Sequence, residues 1–333
     1  MTTQKNMPII LGEDLGMGAN KIFGMSGGLE VPSQVSVNGT QQVTKMLGLR
    51  SQKPPLHVQT EQGSFYVGGG AHDWGHPIEN LDYDRLVGAP EMRALFYGSL
   101  THYMQSYGSL DGEITVIVGM PLEPLTGEDA QKNIFSVRRW MKGSHYWTAD
   151  SQSYEVHIEK VKVTSQPVGA LFDYLLDEQG EFVPQRKAAF GKEVGIISIG
   201  FNTVELLVVR NKQTVQRFTS GTTAGVRRLL EITNPRGMYS MGELDTLLRS
   251  QQLDISDALA VWEREVTGVI ESTWGQSWKR FATILIVGGG AILLANSLPY
   301  HFGGKVYIPE DPVLSIARGL YKLGLFQERR KRS

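Results

Sequence analysis

The chain has 333 residues, with 33 lysines and arginines against 34 aspartates and glutamates, a net charge of −1. That length suits two domains or one large bilobed one, and the balanced charge does not point to a nucleic-acid or membrane surface as the main partner. The absence of cysteine excludes disulfides, thiolate catalysis and thiolate-ligated metals.

The start, MTTQKNMPIILGEDLG, lacks an apolar stretch of signal-peptide length before acidic residues appear. Strand patterns follow at Pro8–Leu11, Leu29–Asn38, His57–Thr60 and Ser64–Gly68. PEMRALFYGSLTHYMQSYG, from Pro90, predicts a helix: Met92, Leu95, Phe96, Leu100 and Tyr103 share one face and proline sits in the first turn. A buried strand is predicted at Glu113–Pro121, a charged helix around Asp129–Lys142, strands near Tyr154–Glu159 and Lys162–Thr164, and a helix in VGALFDYLLDE.

The second half opens on GIISIGFNTVELLVV, Gly195–Val209, where two β-branched runs flank a small tip and predict a hairpin. TTAGVRRLLEIT and ISDALAVWEREVTGVIESTWGQSW read as amphipathic helices. ATILIVGGGAILLANSL reads as strand, glycine turn and helix, and VYIPEDPVLSIARGLYKLGLF as a short strand and a final helix. The longest apolar run, ILIVGGGAILLA from Ile284, has 12 residues, short of the roughly 20 of a membrane span. A soluble, cytoplasmic α/β protein is expected. Arg329, Arg330, Lys331 and Arg332 form a short basic tail that reads as a solvated end.

One internal echo organises the chain. Asp14 stands two residues before Gly16, and Ser198 two before Gly200, at a constant offset of 184. Each follows an apolar strand and re-enters a β-like run, which suggests two related lobes, each presenting a glycine hairpin. Two such hairpins across a cleft can clamp a polyphosphate, because glycines let backbone N–H groups approach its oxygens. Lys21 and the Asn20 amide would add donors. Asp14 can hold Mg²⁺ through water, since that ion prefers oxygen ligands and keeps most of its hydration. Taken singly, either hairpin could merely turn the chain. Gly288, Gly289, Gly290 and Ala291, between a strand and a helix, let a ring or phosphate rest on bare backbone. Neither the dinucleotide nor the P-loop fingerprint occurs.

The Asp-x-Gly hairpin, VGMP strand end, Gln-Pro turn, second glycine hairpin, GGGA turn and DPVLSIARGLYKLG helix occur in the order of the actin and sugar-kinase ATPase superfamily. The chain most resembles the bacterial and archaeal actin-like proteins, especially the ParM-type plasmid-segregation actins; ENLDYDRLVGAPEMRALFYGSL, from Glu79, also resembles that group. The resemblance implies a bilobed actin-like fold: lobe I from 1–165 plus 309–333, with a smaller subdomain about 28–76, and lobe II from 166–308, with one about 211–279. It implies ATP or GTP with Mg²⁺ in the cleft. Asp14, Gly16, Met17, Gly18, Asn20 and Lys21 match the first phosphate loop. Gly200, Phe201, Asn202 and Thr203 match the second, with Gly225 beyond it, and Gly288, Gly289, Gly290 and Ala291 match the adenosine motif. Gln166, otherwise a plain polar residue at a helix start, falls where the family orients the attacking water.

The second loop departs from the pattern, since Ser198 stands where the family has aspartate and Phe201 where it has a second glycine. Simple strand alternation puts Glu205 on the opposite face from Ser198, so Glu205 is not expected to replace the lost acid. A slow ATPase that assembles into filaments for plasmid segregation or intracellular positioning is expected, with itself and a DNA-binding adaptor as partners. A scaffold that binds nucleotide without turnover is the alternative, and a small-molecule kinase, with Asp73 or Asp129 as base, is a third. His57, His72, His76 and His145 lack metal-ligand spacing, Trp262, Trp274 and Trp278 read as packing residues, and GMYSMGEL reads as a surface turn.

Overall fold

Two apolar strands, one from each half, carry the architecture. In the computed structural model, which describes residues 8–37 and 53–331, the first half begins with β1 (Ile9–Leu15), β2 (Ala19–Gly24), β3 (Gly27–Pro32) and β4 (Val35–Val37). Next come β5 (Leu56–Thr60), β6 (Gly63–Val67), β7 (His76–Pro77), helix α1 (Pro90–Tyr107), β8 (Glu113–Met120) and α2 (Ala130–Met141). β9 (Gly143–Ala149), β10 (Gln152–Ser165) and α3 (Gln166–Leu175) complete this half. Asn38, the 38–52 stretch of the suggested subdomain and Arg332 lie outside the described residues.

After the short α4 (Pro184–Lys187) come β11 (Glu193–Ile199), β12 (Val204–Arg210), β13 (Gln213–Thr214), β14 (Ser220–Thr222), α5 (Val226–Thr233), α6 (Met241–Arg249) and α7 (Ser256–Trp274). β15 (Thr283–Val287), α8 (Gly289–Leu293), α9 (Ser297–His301), β16 (Val306–Tyr307) and α10 (Ser315–Arg330) close the chain. The strands form a ten-stranded sheet, β3-β2-β1-β8-β10-β9-β5-β6-β4-β7, and a six-stranded one, β13-β12-β11-β15-β16 with β14 beside β12. In each sheet an antiparallel hairpin is followed by a parallel partner: β1 pairs β2 and β8, and β11 pairs β12 and β15. This mixed α/β, two-sheet arrangement is the bilobed actin-like fold.

β8 from Ile114 onward and all of β15 are buried because helices cover both faces of the parallel strands. The first core gathers under α1, and the second lies around α7, where Trp262 and Trp274 are buried as packing residues. A third joins the two sheets through α3 and α10: Ile10 and Ile117 meet Leu171, Ile196, Leu285 and Leu320 there. The same joint contains an ionic hub. Asp173 of α3 accepts from Ser315 Oγ at 2.8 Å, Arg318 Nε at 2.7 Å and Lys322 Nζ at 3.0 Å, all on α10. α3 and α10 touch backbone to backbone, since a Cβ on Gly319 would lie 1.8 Å from the Gly169 carbonyl oxygen.

Two sequence expectations change. The strands at Tyr154–Glu159 and Lys162–Thr164 are one strand, β10, irregular between Ile158 and Lys160, and it pairs with the unanticipated β9. GMYSMGEL is only half a turn. Ser240 and Glu243 form a capping box that starts α6, each side chain bonding the other's backbone N–H. No helix among the described residues is long and apolar enough to cross a membrane.

Candidate functional site

The β1–β2 and β11–β12 hairpins enter one cavity of about 710 Å³ from opposite sheets. In the first hairpin Asp14 and Lys21 stand opposite each other, and Lys21 Nζ lies 3.1 Å from Asp14 Oδ2. Gln166, the first residue of α3, donates from Nε2 to Asp14 Oδ1 at 2.7 Å and weakly to the Leu15 carbonyl at 3.5 Å. Both partners are pure acceptors, so the NH₂ side of the amide must face them. The Gln166 carbonyl oxygen is left as the free acceptor. Burial raises the Asp14 carboxyl, and Lys21 and Gln166 oppose that rise. Asp14 is thus held by a cation and an amide, with only 2% exposure.

The second hairpin closes through Gly200 N–H to the Thr203 carbonyl at 2.8 Å, with Phe201 and Asn202 at the tip. Helix α5 begins beneath it: Gly225 N–H donates to the Asn202 carbonyl at 3.2 Å and Val226 N–H to the Gly200 carbonyl at 3.0 Å. The two tips touch. A Cβ on Gly18 would lie 2.4 Å from Phe201 Cβ, so glycine at 18 is what admits the phenylalanine.

Glu205 requires a correction. The register pairs Ser198 directly with Glu205, and directly opposed residues of an antiparallel pair point to the same side. Counting alternate residues through the turn fails because the turn reverses the chain. Glu205 therefore shares the face of Ser198, on the side of α3 and α10. Its Oε1 accepts from Leu122 N–H at 2.7 Å, and its Oε2 is buried without a partner. Burial pushes this carboxyl up to about 8; the Leu122 bond opposes the shift, and Asp14 and Glu123 add to it.

Asp14, Gly16, Met17, Gly18, Lys21, Gln166, Ser198, Gly200, Phe201, Asn202 and Thr203 line the cavity, as do Gly288 and Gly289. Asn20 does not. It pairs with Leu15 on the other face of the hairpin, fully buried, with both amide atoms unpartnered. Gly225 supports the second tip, and Gly290 and Ala291 are buried, Gly290 against Ile199. Asp73 and Asp129, the nominated kinase bases, do not line the cavity.

An apolar wall escaped the sequence reading. Leu248, Leu253, Ile255, Ile292 and Leu293 line the same cavity beside the Gly288–Gly289 backbone, a surface suited to a flat ring. The signal for part of it was the Ser240–Glu243 capping box ahead of α6. The cleft is also bridged. Arg249 of α6 lies 3.0 Å from Glu30 of β3 and 2.8 Å from Asp245, while Gln34 Nε2 donates to the Gly242 carbonyl and to Thr246 Oγ1, each at 3.1 Å. Among the described residues no group of three or more histidines and carboxylates is placed to hold a metal ion. A single buried carboxylate, Asp14, does suit Mg²⁺, which keeps several waters and takes phosphate oxygens as ligands.

No curated protein sequence matches the chain significantly. Residues 12–169 match the family described as the N-terminal domain of actin-like proteins. Apo ParM of pSK41 superposes with a TM-score of 0.72 at 16% identity over 98% of this chain and 99% of that one. A subunit of a 15-stranded ParM filament from Clostridium botulinum gives 0.72 at 17% identity over 95% and 99%. The archaeal actin homologue Ta0583 in complex with ADP gives 0.70 at 17% identity over 98% and 100%. The chain therefore has the fold of the ParM-type actins, and residues 12–169 carry the signature of the actin-like N-terminal domain.

Proposed function

We propose that the cleft binds ATP or GTP with Mg²⁺ and hydrolyses it slowly, and that nucleotide drives assembly into filaments. The observation that carries this reading is the Gln166–Asp14 hydrogen bond, set inside a cavity between two touching glycine hairpins. In this reading the division at 165/166 and 308/309 separates two lobes with the nucleotide between them.

Backbone N–H groups of Met17 and Gly18 and of Phe201–Thr203 bind phosphate oxygens, while those of Gly16 and Gly200 close the two turns, and Lys21 adds a positive charge. The apolar wall by Gly288 and Gly289 takes the base. Asp14 would hold Mg²⁺ through water, and the ion would supply charge neutralisation on the transferring group. The free carbonyl oxygen of Gln166 accepts a hydrogen bond from the attacking water and orients it. Ser198, which lines the cleft, donates to a water there, whereas Glu205 lies buried behind it with its carboxyl raised, so the acid absent at 198 is not replaced and turnover is slow. Nucleotide spanning both lobes favours the closed form, whose surface fits the next subunit head to tail. The likeness to ParM supports reading the assembly as a filament for plasmid or DNA segregation, or for positioning within the cytoplasm, with an adaptor bridging to DNA.

A scaffold that binds nucleotide without turnover is the second reading, favoured by Ser198 and by Phe201 packed on Gly18. Calorimetric titration with ATP and ADP in Mg²⁺ tests the site common to both. One nucleotide per chain is expected, with affinity weakened at least about tenfold in Asp14→Ala; equal affinity in that variant contradicts the assignment.

A further inference from the structure

A second cavity, of about 540 Å³, lies among β5–β6, α1, α2 and the start of β9 and shares no lining residue with the cleft. That volume falls within the range of roughly 300–1,000 Å³ of small-molecule sites. Its walls carry three cations, Arg93, Arg139 and Lys142, against one carboxylate, Glu61. Among the described residues none of the three cations forms an ion pair. Arg139 and Lys142 are exposed at the mouth, whereas Arg93 is half-buried.

Arg93 is also fixed in place. Its Nε donates to the Gly88 carbonyl at 3.0 Å, and its guanidinium lies 5.4 Å from the centroid of the Trp140 ring. Behind it, His145 Nε2 lies 2.9 Å from the Met141 carbonyl, and Tyr97 Oη lies 3.1 Å from His145 Nδ1. A carbonyl only accepts, so Nε2 carries the proton and Nδ1 accepts from the phenol. The phenol oxygen then turns its lone pairs toward Arg93. Tyr97 and His145 are 6% and 5% exposed, a buried polar pair that orients the guanidinium without neutralising it. A solvated patch of mobile cations has no such framework. A guanidinium pinned at Nε presents its remaining N–H groups as a preorganised fork.

We propose that this cavity binds a compact small-molecule anion bearing two or more negative charges, a phosphate or a polycarboxylate, with Arg93 as its fork and Arg139 and Lys142 as the mouth charges. Inorganic phosphate and citrate are the two probes, titrated calorimetrically into the intact protein and into two variants. Arg139→Ala/Lys142→Ala changes only exposed positions and preserves the fold, while Arg93→Lys keeps the charge and loses the fork. Saturable binding of one probe to the wild type is expected, weakened at least about tenfold in both variants; which probe binds identifies the chemistry. No saturable binding, or equal affinity in the double variant, overturns the proposal. So does a double variant that binds both probes normally yet no longer assembles with nucleotide, which would make this surface a contact between subunits.

Discussion

Ser198 and Glu205 face each other across the β11–β12 hairpin, as Asp14 and Lys21 do across β1–β2. The first hairpin satisfies its carboxylate with a lysine at 3.1 Å, whereas the second leaves one carboxylate oxygen of Glu205 buried and unpartnered. A buried, unpaired carboxyl resists ionisation, which has a measurable consequence for the empty protein. Its pKa rises from the ordinary glutamate value of 4.5 to about 8. Between those values the folded state holds a proton that the unfolded chain has lost. Stability therefore falls as pH rises through that window, by up to about 1.4 kcal/mol per pH unit, and levels off above it. Glu13, raised by its burial above all, acts in the same direction. Denaturant unfolding at a series of pH values should show the decline, and Glu205→Gln should flatten it. Parallel curves for the two proteins would remove the raised carboxyl from the account.

Gln166→Ala separates binding from turnover. The variant loses the acceptor that orients water but leaves both glycine loops and Lys21 in place. Phosphate release should fall about tenfold or more while nucleotide affinity changes less than about threefold. Equal losses in both would make Gln166 a binding residue.

How much of this was legible in the sequence depends on what each signal reports. The offset of 184 between the two hairpins survives as two sheets with matching hairpin and parallel-strand pairings, because it is encoded in local turns and apolar runs. Asn20 and Glu205 were misjudged for one reason: which face a strand residue occupies is set by register across the hairpin, and register depends on turn geometry. β9 went unseen because GSHYWTA gains its strand character from pairing with β10 and β5. Arg249 and Glu30, like Thr246 and Gln34, are far apart in sequence and become partners only through the fold.

The bridge across the cleft mouth should control nucleotide exchange. Gln34→Ala removes hydrogen bonds to Gly242 and Thr246, worth about 1 kcal/mol each. Release of a fluorescent nucleotide, followed by stopped flow, should quicken about tenfold, and a matching effect is expected of Arg249→Ala through Glu30. Unchanged release in both variants would mean that the mouth does not gate the site.

The α3–α10 joint should be costly to break. Asp173→Ala leaves Lys322, 5% exposed, facing no carboxylate but that of the exposed Glu178, a change expected to cost about 3–5 kcal/mol. Urea unfolding of the purified variant checks this; a loss under about 1 kcal/mol would show that the apolar contacts alone hold the two sheets.

Sedimentation and phosphate release, measured in one tube with ATP and Mg²⁺, test the central claim most directly. A nucleotide-dependent pellet with slow phosphate release is predicted, both lost in Asp14→Ala. A folded, nucleotide-bound protein that never pellets and releases no phosphate would contradict it.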